Sequence, residues 1–283
     1  MTRVIFFLLI NFSSLTFGWN AIGHKLVAKI AYEHLHSDVR NKVDMLVSYL
    51  NQEYPDIENF IQIATWPDQL REQKIELFTH WHYIDNSFST DGTPIKNLND
   101  TDNASWAINQ MNPILKNTRS NPYEKARFLA FLVHIVGDLH QPLHTVSRIS
   151  APLPDGDAGG NLFVLGTSQC LDLVNRPDNL HHIWDNGLGY FTHATENDID
   201  RLAKDISDLY PQSFFGGLVE DLDQKNWEKE GMALATSFIY NTPENECPSK
   251  LYISKGQEIA KQRVALSGYR LAGLLNTLFA SNK

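Results

Sequence analysis

Cysteine is almost absent from this chain: 283 residues hold two, Cys170 and Cys247. That scarcity excludes a disulfide-dense scaffold, and neither cysteine has a nearby Cys or His at the spacing of a zinc module. Clusters of Lys or Arg are also missing, and the net charge is −9, which argues against tracking of duplex DNA through many phosphate contacts. Beyond residue 18 no uncharged apolar run approaches the roughly 20 residues that span a bilayer, so no stable membrane association is expected.

The start of the chain does carry an apolar run, Val4 to Ile10 behind Arg3, followed by small residues at Thr16 and Gly18. It is too short for a membrane helix and reads as a signal peptide over residues 1–18, with the mature chain beginning at Trp19. Residues 19–283 then form one domain that is secreted or periplasmic. In that oxidising setting a disulfide between Cys170 and Cys247 is favoured over two separate thiols.

Apolar residues recur at three- and four-residue steps over Ile22–Leu35, Asp38–Leu50, Ala104–Leu115, Tyr123–Leu139, Asp198–Leu209, Asn226–Tyr240 and Leu251–Phe279. A mainly α, single-domain, multi-helix fold follows. Asn121-Pro122 marks a helix start and Pro142 a stop. Between Pro152 and Pro177 the spacing suggests a glycine-rich loop and a short strand or hairpin at Leu162–Leu165. Residues 86–103 read as a surface loop, within which Asn99 and Asn103 stand in N-glycosylation acceptor patterns.

Against this background the histidines stand out. His134 and Asp138 are one helical turn apart and share a face, so both can reach one metal ion, and the break at Pro142 turns His144 elsewhere. His181 and Asp185 repeat the same step. A single such pair also arises in ordinary surface contacts; two, with further isolated His and Asp residues, point to a metal centre.

Several motifs extend this pattern: Trp19-Asn-Ala-Ile-Gly-His24, Trp66-Pro-Asp68, His82-Tyr-Ile-Asp85, His134-x-x-Gly-Asp138-x-His140-Gln-Pro-Leu-His144, Gly156-Asp-x-Gly-Gly-Asn161 and Asn179-Leu-His181-x-x-Trp-Asp185. In order and spacing they resemble the zinc-dependent S1/P1 nucleases, relatives of zinc-dependent phospholipase C, over nearly all of the mature chain. The resemblance implies three Zn2+ ions. Asp68, His82, His134 and Asp138 would hold one; the amino nitrogen and carbonyl of Trp19, with His24 and Asp138, its close neighbour; His144, His181 and Asp185 the third. Three dications against three carboxylates leave the site at about +3 inside an acidic protein, which suits a phosphodiester.

The resemblance further implies a hydrolase that cuts single-stranded RNA and DNA to 5′-phosphate products, with accompanying 3′-nucleotidase activity. Asp68 and Arg71 would be the catalytic residues, Arg71 steadying the phosphoryl group with its planar fork. Tyr83 would stack on a base, while Asp85 and Asn186 would contact its edge. By spacing alone Arg71 reads as a surface residue and Tyr83 as packing. His140 is expected behind the ligands rather than among them, and His82 is preferred to His80. Two other readings compete: a phospholipase C, whose third site ends in Glu where this chain has Asp185, and a zinc carrier, which would favour flexible His-rich tracts.

Overall fold

The computed structural model describes residues 18–166 and 179–280. Residues 1–17 of the expected signal peptide lie outside the described residues, as does Cys170, and with it the expected pairing to Cys247.

Ten α-helices are found among the described residues, and those anticipated from periodicity fall where they were expected. They are α1 (Ala21–Glu33), α2 (Ser37–Glu53), α3 (Trp66–Glu72), α4 (Ala104–Lys116), α5 (Pro122–Asp138), α6 (Leu180–Asp185), α7 (Ile199–Leu209), α8 (Gln212–Phe215), α9 (Gln224–Leu234) and α10 (Lys250–Leu278). The stretch expected as one helix from Asn226 to Tyr240 is α9 continued by a π-helical turn, Ala235–Ile239.

Helix α5 is the axis of the molecule. Asn121 caps it by accepting from the Tyr123 amide and Pro122 occupies its first turn, the arrangement that leaves fewest orphan N–H groups. From Leu129 to Asp138 every residue is buried, because α1, α2, α3, α4 and α10 all pack on it. The apolar residues of these helices form the main core. A second, smaller cluster centres on Phe163, Leu180, Trp184 and Tyr252 under α6.

The strands differ from expectation. Leu162–Leu165 forms only an isolated bridge, Val164 with Asn179, beside the glycine-rich loop. Among the described residues the strands are β1 (Asn86–Ser89), inside the stretch read as a surface loop, and β2 (Val146–Ile149), paired in parallel with Asn86 opposite Val146. Each follows a 3₁₀ turn, Thr79–His82 and Pro142–Thr145. The ladder continues into those turns: the Ile84 amide donates to the His144 carbonyl at 2.9 Å.

Candidate metal centre

Four segments far apart in sequence meet at the C-terminal end of α5. His24 comes from α1, Asp68 from the first turn of α3, His82 from its 3₁₀ turn, and His134 and Asp138 from α5 itself. All five are buried. Asp138 faces two ways: Oδ1 lies 3.3 Å from His24 Nε2, and Oδ2 lies 3.2 Å from both His82 Nδ1 and His134 Nε2. Asp68 Oδ1 stands 3.6 Å from His134 Nε2. His24 stacks on His134 with ring centroids 3.9 Å apart, which brings His24, Asp68 and His134 within reach of one ion, as are His82, His134 and Asp138.

The polar atoms here are strikingly short of hydrogen-bond partners for so buried a place. Both oxygens of Asp138, both nitrogens of His24, Asp68 Oδ1 and His82 Nε2 have none. A buried polar group without a partner costs free energy, and a cation shared among these atoms removes that cost. Burial holds His24 and His82 down to about 4. It also works against charging His134, but the carboxylates of Asp138 and Asp68 outweigh it and raise His134 to about 9. Burial alone would raise Asp138; the charge of His134, then the close nitrogens of His134, His24 and His82, hold it well below the usual carboxylate range.

His144, His181 and Asp185 form a second group. His144 donates Nδ1–H to the His82 carbonyl and His181 donates Nδ1–H to the Gly159 carbonyl, each at 2.7 Å. A carbonyl can only accept, so both rings in their neutral form present lone pairs at Nε2. Those two Nε2 atoms are 3.0 Å apart. Asp185 Oδ2 lies 3.4 Å from His181 Nε2, and Asp185 Oδ1 accepts from Gln141 Nε2 at 2.7 Å.

Gln141 was not singled out in the sequence; its place inside the His140-Gln-Pro-Leu-His144 motif was the available signal. The glycine-rich loop has its own support. Asp157 accepts from the amides of Arg148 and Gly160 and from the Tyr240 hydroxyl, at 2.9, 3.1 and 3.1 Å. Gly159 has φ +60°, and a Cβ there would overlap the Leu143 carbonyl oxygen, so only glycine can offer its carbonyl to His181 in this geometry.

The N-terminal segment reaches the first group. Trp19 is fully buried and meets Phe191 edge-on at 5.8 Å. A Cβ on Gly18 would overlap Asp138 Oδ1 and fall 2.8 Å from His24 Nε2, so the backbone before Trp19 lies against the shared carboxylate. Asn20 caps α1 by accepting from the Gly23 amide, and its own amide donates to the Asp185 carbonyl at 2.9 Å, tying this segment to the second group.

Of the other expected residues, Arg71 is buried, with Nη1 3.9 Å from Asp68 Oδ1. Tyr83 is half-buried, its hydroxyl 3.5 Å from Asp100. Burial, then the charges of Asp100 and Asp157, push the Asp85 carboxyl up to about 7. Asn186 is engaged locally, accepting from Asn20 at 3.0 Å and donating to the His182 carbonyl at 2.9 Å. His80 points away from the ligands to Asp102 at 3.1 Å. His140 is buried but stands apart: it donates to the Val136 carbonyl at 2.8 Å and accepts from Arg270 Nη1 at 3.0 Å.

Such a collection of dispersed imidazoles and carboxylates around buried, partnerless atoms is suited to hold metal ions, as in a metal-dependent hydrolase, rather than to serve as a structural ion pair. Comparison with known families agrees, since residues 19–280 match the profile described as S1/P1 Nuclease. The chain belongs to the S1/P1 nuclease family, hydrolases that act on phosphodiester bonds. It is 26% identical to Nuclease S1 of Aspergillus oryzae, with 94% of this chain and 93% of that protein covered. With Endonuclease 1 of Arabidopsis thaliana it shares 27% identity over 93% of this chain and 88% of the other, and with Endonuclease 5 of the same plant 24% over 93% and 91%.

Proposed function

We propose that the chain is a secreted zinc nuclease that cleaves single-stranded RNA and DNA to 5′-phosphate products, with 3′-nucleotidase activity alongside. The observation that carries the reading is the opposed pair of Nε2 lone pairs on His144 and His181, 3.0 Å apart beside Asp185. Together with the partnerless atoms of Asp138 and His24, it fits three zinc ions. Asp68, His82, His134 and Asp138 would hold the first; His24, Asp138 and the amino nitrogen and carbonyl of Trp19 the second; His144, His181 and Asp185 the third. When bound, zinc supplies Lewis acidity toward water and phosphoryl oxygens.

The protein's own residues position the substrate. Asp138 turns Oδ1 toward His24 and Oδ2 toward His82 and His134, so a single carboxylate would serve both ligand sets. Gln141 holds Asp185, and the carbonyls of His82 and Gly159 hold the third group's imidazoles in the ligating tautomer. Arg71, anchored beside Asp68, directs its guanidinium to the non-bridging phosphoryl oxygens and stabilises charge that grows in the transition state. Tyr83 stacks on a base unpaired from its neighbours, and Asp85 and Asn186 contact its edge. A duplex keeps its bases stacked and finds little attraction on an acidic surface, which supports the preference for single strands.

Purified mature protein offered single-stranded RNA, single-stranded DNA, duplex DNA and phosphatidylcholine, with and without chelator, tests this. Fast chelator-sensitive cleavage of the single strands is expected, with three zinc ions by mass spectrometry. Hydrolysis of phosphatidylcholine in preference would favour the phospholipase reading. A variant with a retained residue before Trp19 is expected to lose one zinc and most activity, because an amide nitrogen is a poor ligand where a free amine is needed. Three zincs and normal turnover in that variant would remove Trp19 from the site.

A further inference from the structure

On the far side of the extended segment that carries Tyr83 and Asp85 lies a second cleft of about 1020 Å³. Ile84, Asn86 and Ser87 line this cleft, whereas Tyr83 and Asp85 on the same segment do not. The opposite wall is α9, and the rim is formed by the 95–99 stretch and the N-terminus of α4. The cleft therefore adjoins the site already described without sharing its ligands.

Its chemistry is unlike the rest of this acidic chain. Three lysines line it, Lys96, Lys225 and Lys229, against one carboxylate, Glu228. Glu228 is already spoken for, accepting from Asn86 at 3.2 Å and from the Ser105 hydroxyl. Lys96 pairs with Asp155. Lys229 donates to Asn226 at 3.1 Å, and neither Lys225 nor Lys229 meets a carboxylate at ion-pair distance among the described residues. Beside the lysines the lining offers apolar side chains, among them Met232 and Ile95, the latter 61% exposed. One acceptor in it is unused: Asn99 donates to Asn86 at 3.3 Å, yet its own Oδ1 is buried without a partner.

Lysines beside apolar side chains, with a buried acceptor that lacks a donor, match a nucleotide. Phosphate meets the lysines, the base lies on Ile95 and Met232, and an exocyclic amine or ribose hydroxyl satisfies Asn99. We infer that this cleft is a second binding site for the single strand, holding a nucleotide unit beyond the scissile bond; the inference rests on the nuclease reading above. Its consequence is a preference for longer strands, expressed in KM rather than in the chemical step.

The test uses the metal-loaded protein and the double variant Lys225→Glu/Lys229→Glu, with circular dichroism and zinc content confirming that the variant folds. Calorimetric titration with adenosine 5′-monophosphate is expected to show two sites in the unaltered protein and one in the variant. For an eight-residue single strand, KM should rise about tenfold at low salt, and the slope of log KM against log salt should fall by about 1.4, as removal of two phosphate contacts requires. Turnover of a dinucleotide serves as the internal reference. Asn99→Leu should weaken binding of the nucleotide while leaving that of inorganic phosphate unchanged. Equal stoichiometry in both proteins, with an unchanged ratio of long-strand to dinucleotide KM, would overturn the inference. So would inorganic phosphate displacing the nucleotide at equal concentration, since that marks a bare anion site. Because the calorimetric arm needs no cleavage, an inactive protein that still bound two nucleotides would refute the nuclease reading and leave the cleft standing.

Discussion

Two buried polar clusters flank the C-terminal end of α5, two residues apart in sequence and opposite in character. Around Asp138 gather imidazoles and a second carboxylate, and both oxygens of Asp138, both nitrogens of His24, Asp68 Oδ1 and His82 Nε2 lack a hydrogen-bond partner. Around His140 the fold provides its own cations: Arg263 Nη1 and Arg270 Nη1 donate to Glu230 at 2.7 and 2.8 Å, and Arg270 Nη2 donates to it at 2.6 Å. Arg263 Nε also donates to the His140 carbonyl at 3.0 Å. Burial, then the charges of Arg263 and Arg270, hold the His140 ring well below its ordinary value, so it stays neutral and accepts. Where positive charge serves the architecture, α10 delivers it covalently; where it serves chemistry, the donors are left open for an ion. Histidine alone therefore identifies neither role, and the partners of its second nitrogen decide.

The sharpest break of this contrast is Asp138→Asn. An amide cannot bridge two cations, so two metal sites should fail together and kcat/KM on single-stranded substrate should fall at least about 10²-fold. Mass spectrometry of bound metal together with initial rates measures this. Loss of a single ion with activity retained would show that Asp138 is not shared.

On the other side, Glu230→Gln should leave metal content intact and cost stability. It leaves Arg263 and Arg270 without a countercharge in a buried position, a loss on the order of 3–5 kcal/mol, readable as a lower urea midpoint. An equal loss of bound zinc would mean that the two clusters are not separable.

The smallest expected effect is in acid. Burial tends to raise the Glu230 carboxyl, but hydrogen bonding and charge from Arg270 and Arg263 outweigh it and lower it from the ordinary 4.5. A lowered folded value means that its stabilisation is complete above about 4.5 and is lost as pH falls through the folded value. Between pH 5 and 3 the unaltered protein should therefore lose more stability than Glu230→Gln, by up to about 1.4 kcal/mol per pH unit. Parallel urea curves across that range would remove Glu230 from the acid response.

The same contrast explains what the sequence made legible. Long helices were visible because their apolar faces repeat every 3.6 residues, and Asn121-Pro122 and Pro142 marked the ends of α5. His134 with Asp138 and His181 with Asp185 declared themselves by the four-residue step. The arginine cluster did not: Arg263 and Arg270 lie seven apart on one face of α10, a pattern equally suited to solvent, and only packing shows both buried. Nor could Asn86–Ser89 be read as a strand, since four polar-rich residues carry little periodicity and its partner lies past α4 and α5. The side-chain amides of Asn99 and Asn103, in acceptor patterns whose use the sequence leaves open, donate to Asn86 and to the Asp100 carbonyl.

The parallel pair β1–β2 has a bearing on how the surface of this enzyme can vary. Its register is set at the very start of each strand, where Ile84 bonds to His144 and His144 bonds to the His82 carbonyl across 62 residues of chain. Downstream of that clasp, the 90–103 stretch after β1 runs on to α4, whereas the 150–166 stretch after β2 returns to the site, where the Gly159 carbonyl holds His181. Changes of length in the 90–103 stretch are expected to leave the hydrogen bonds that space His82 and His144 intact. Selection, or an engineer, can thus vary the first of these loops freely, while the second is bound to the ligand geometry through Gly159.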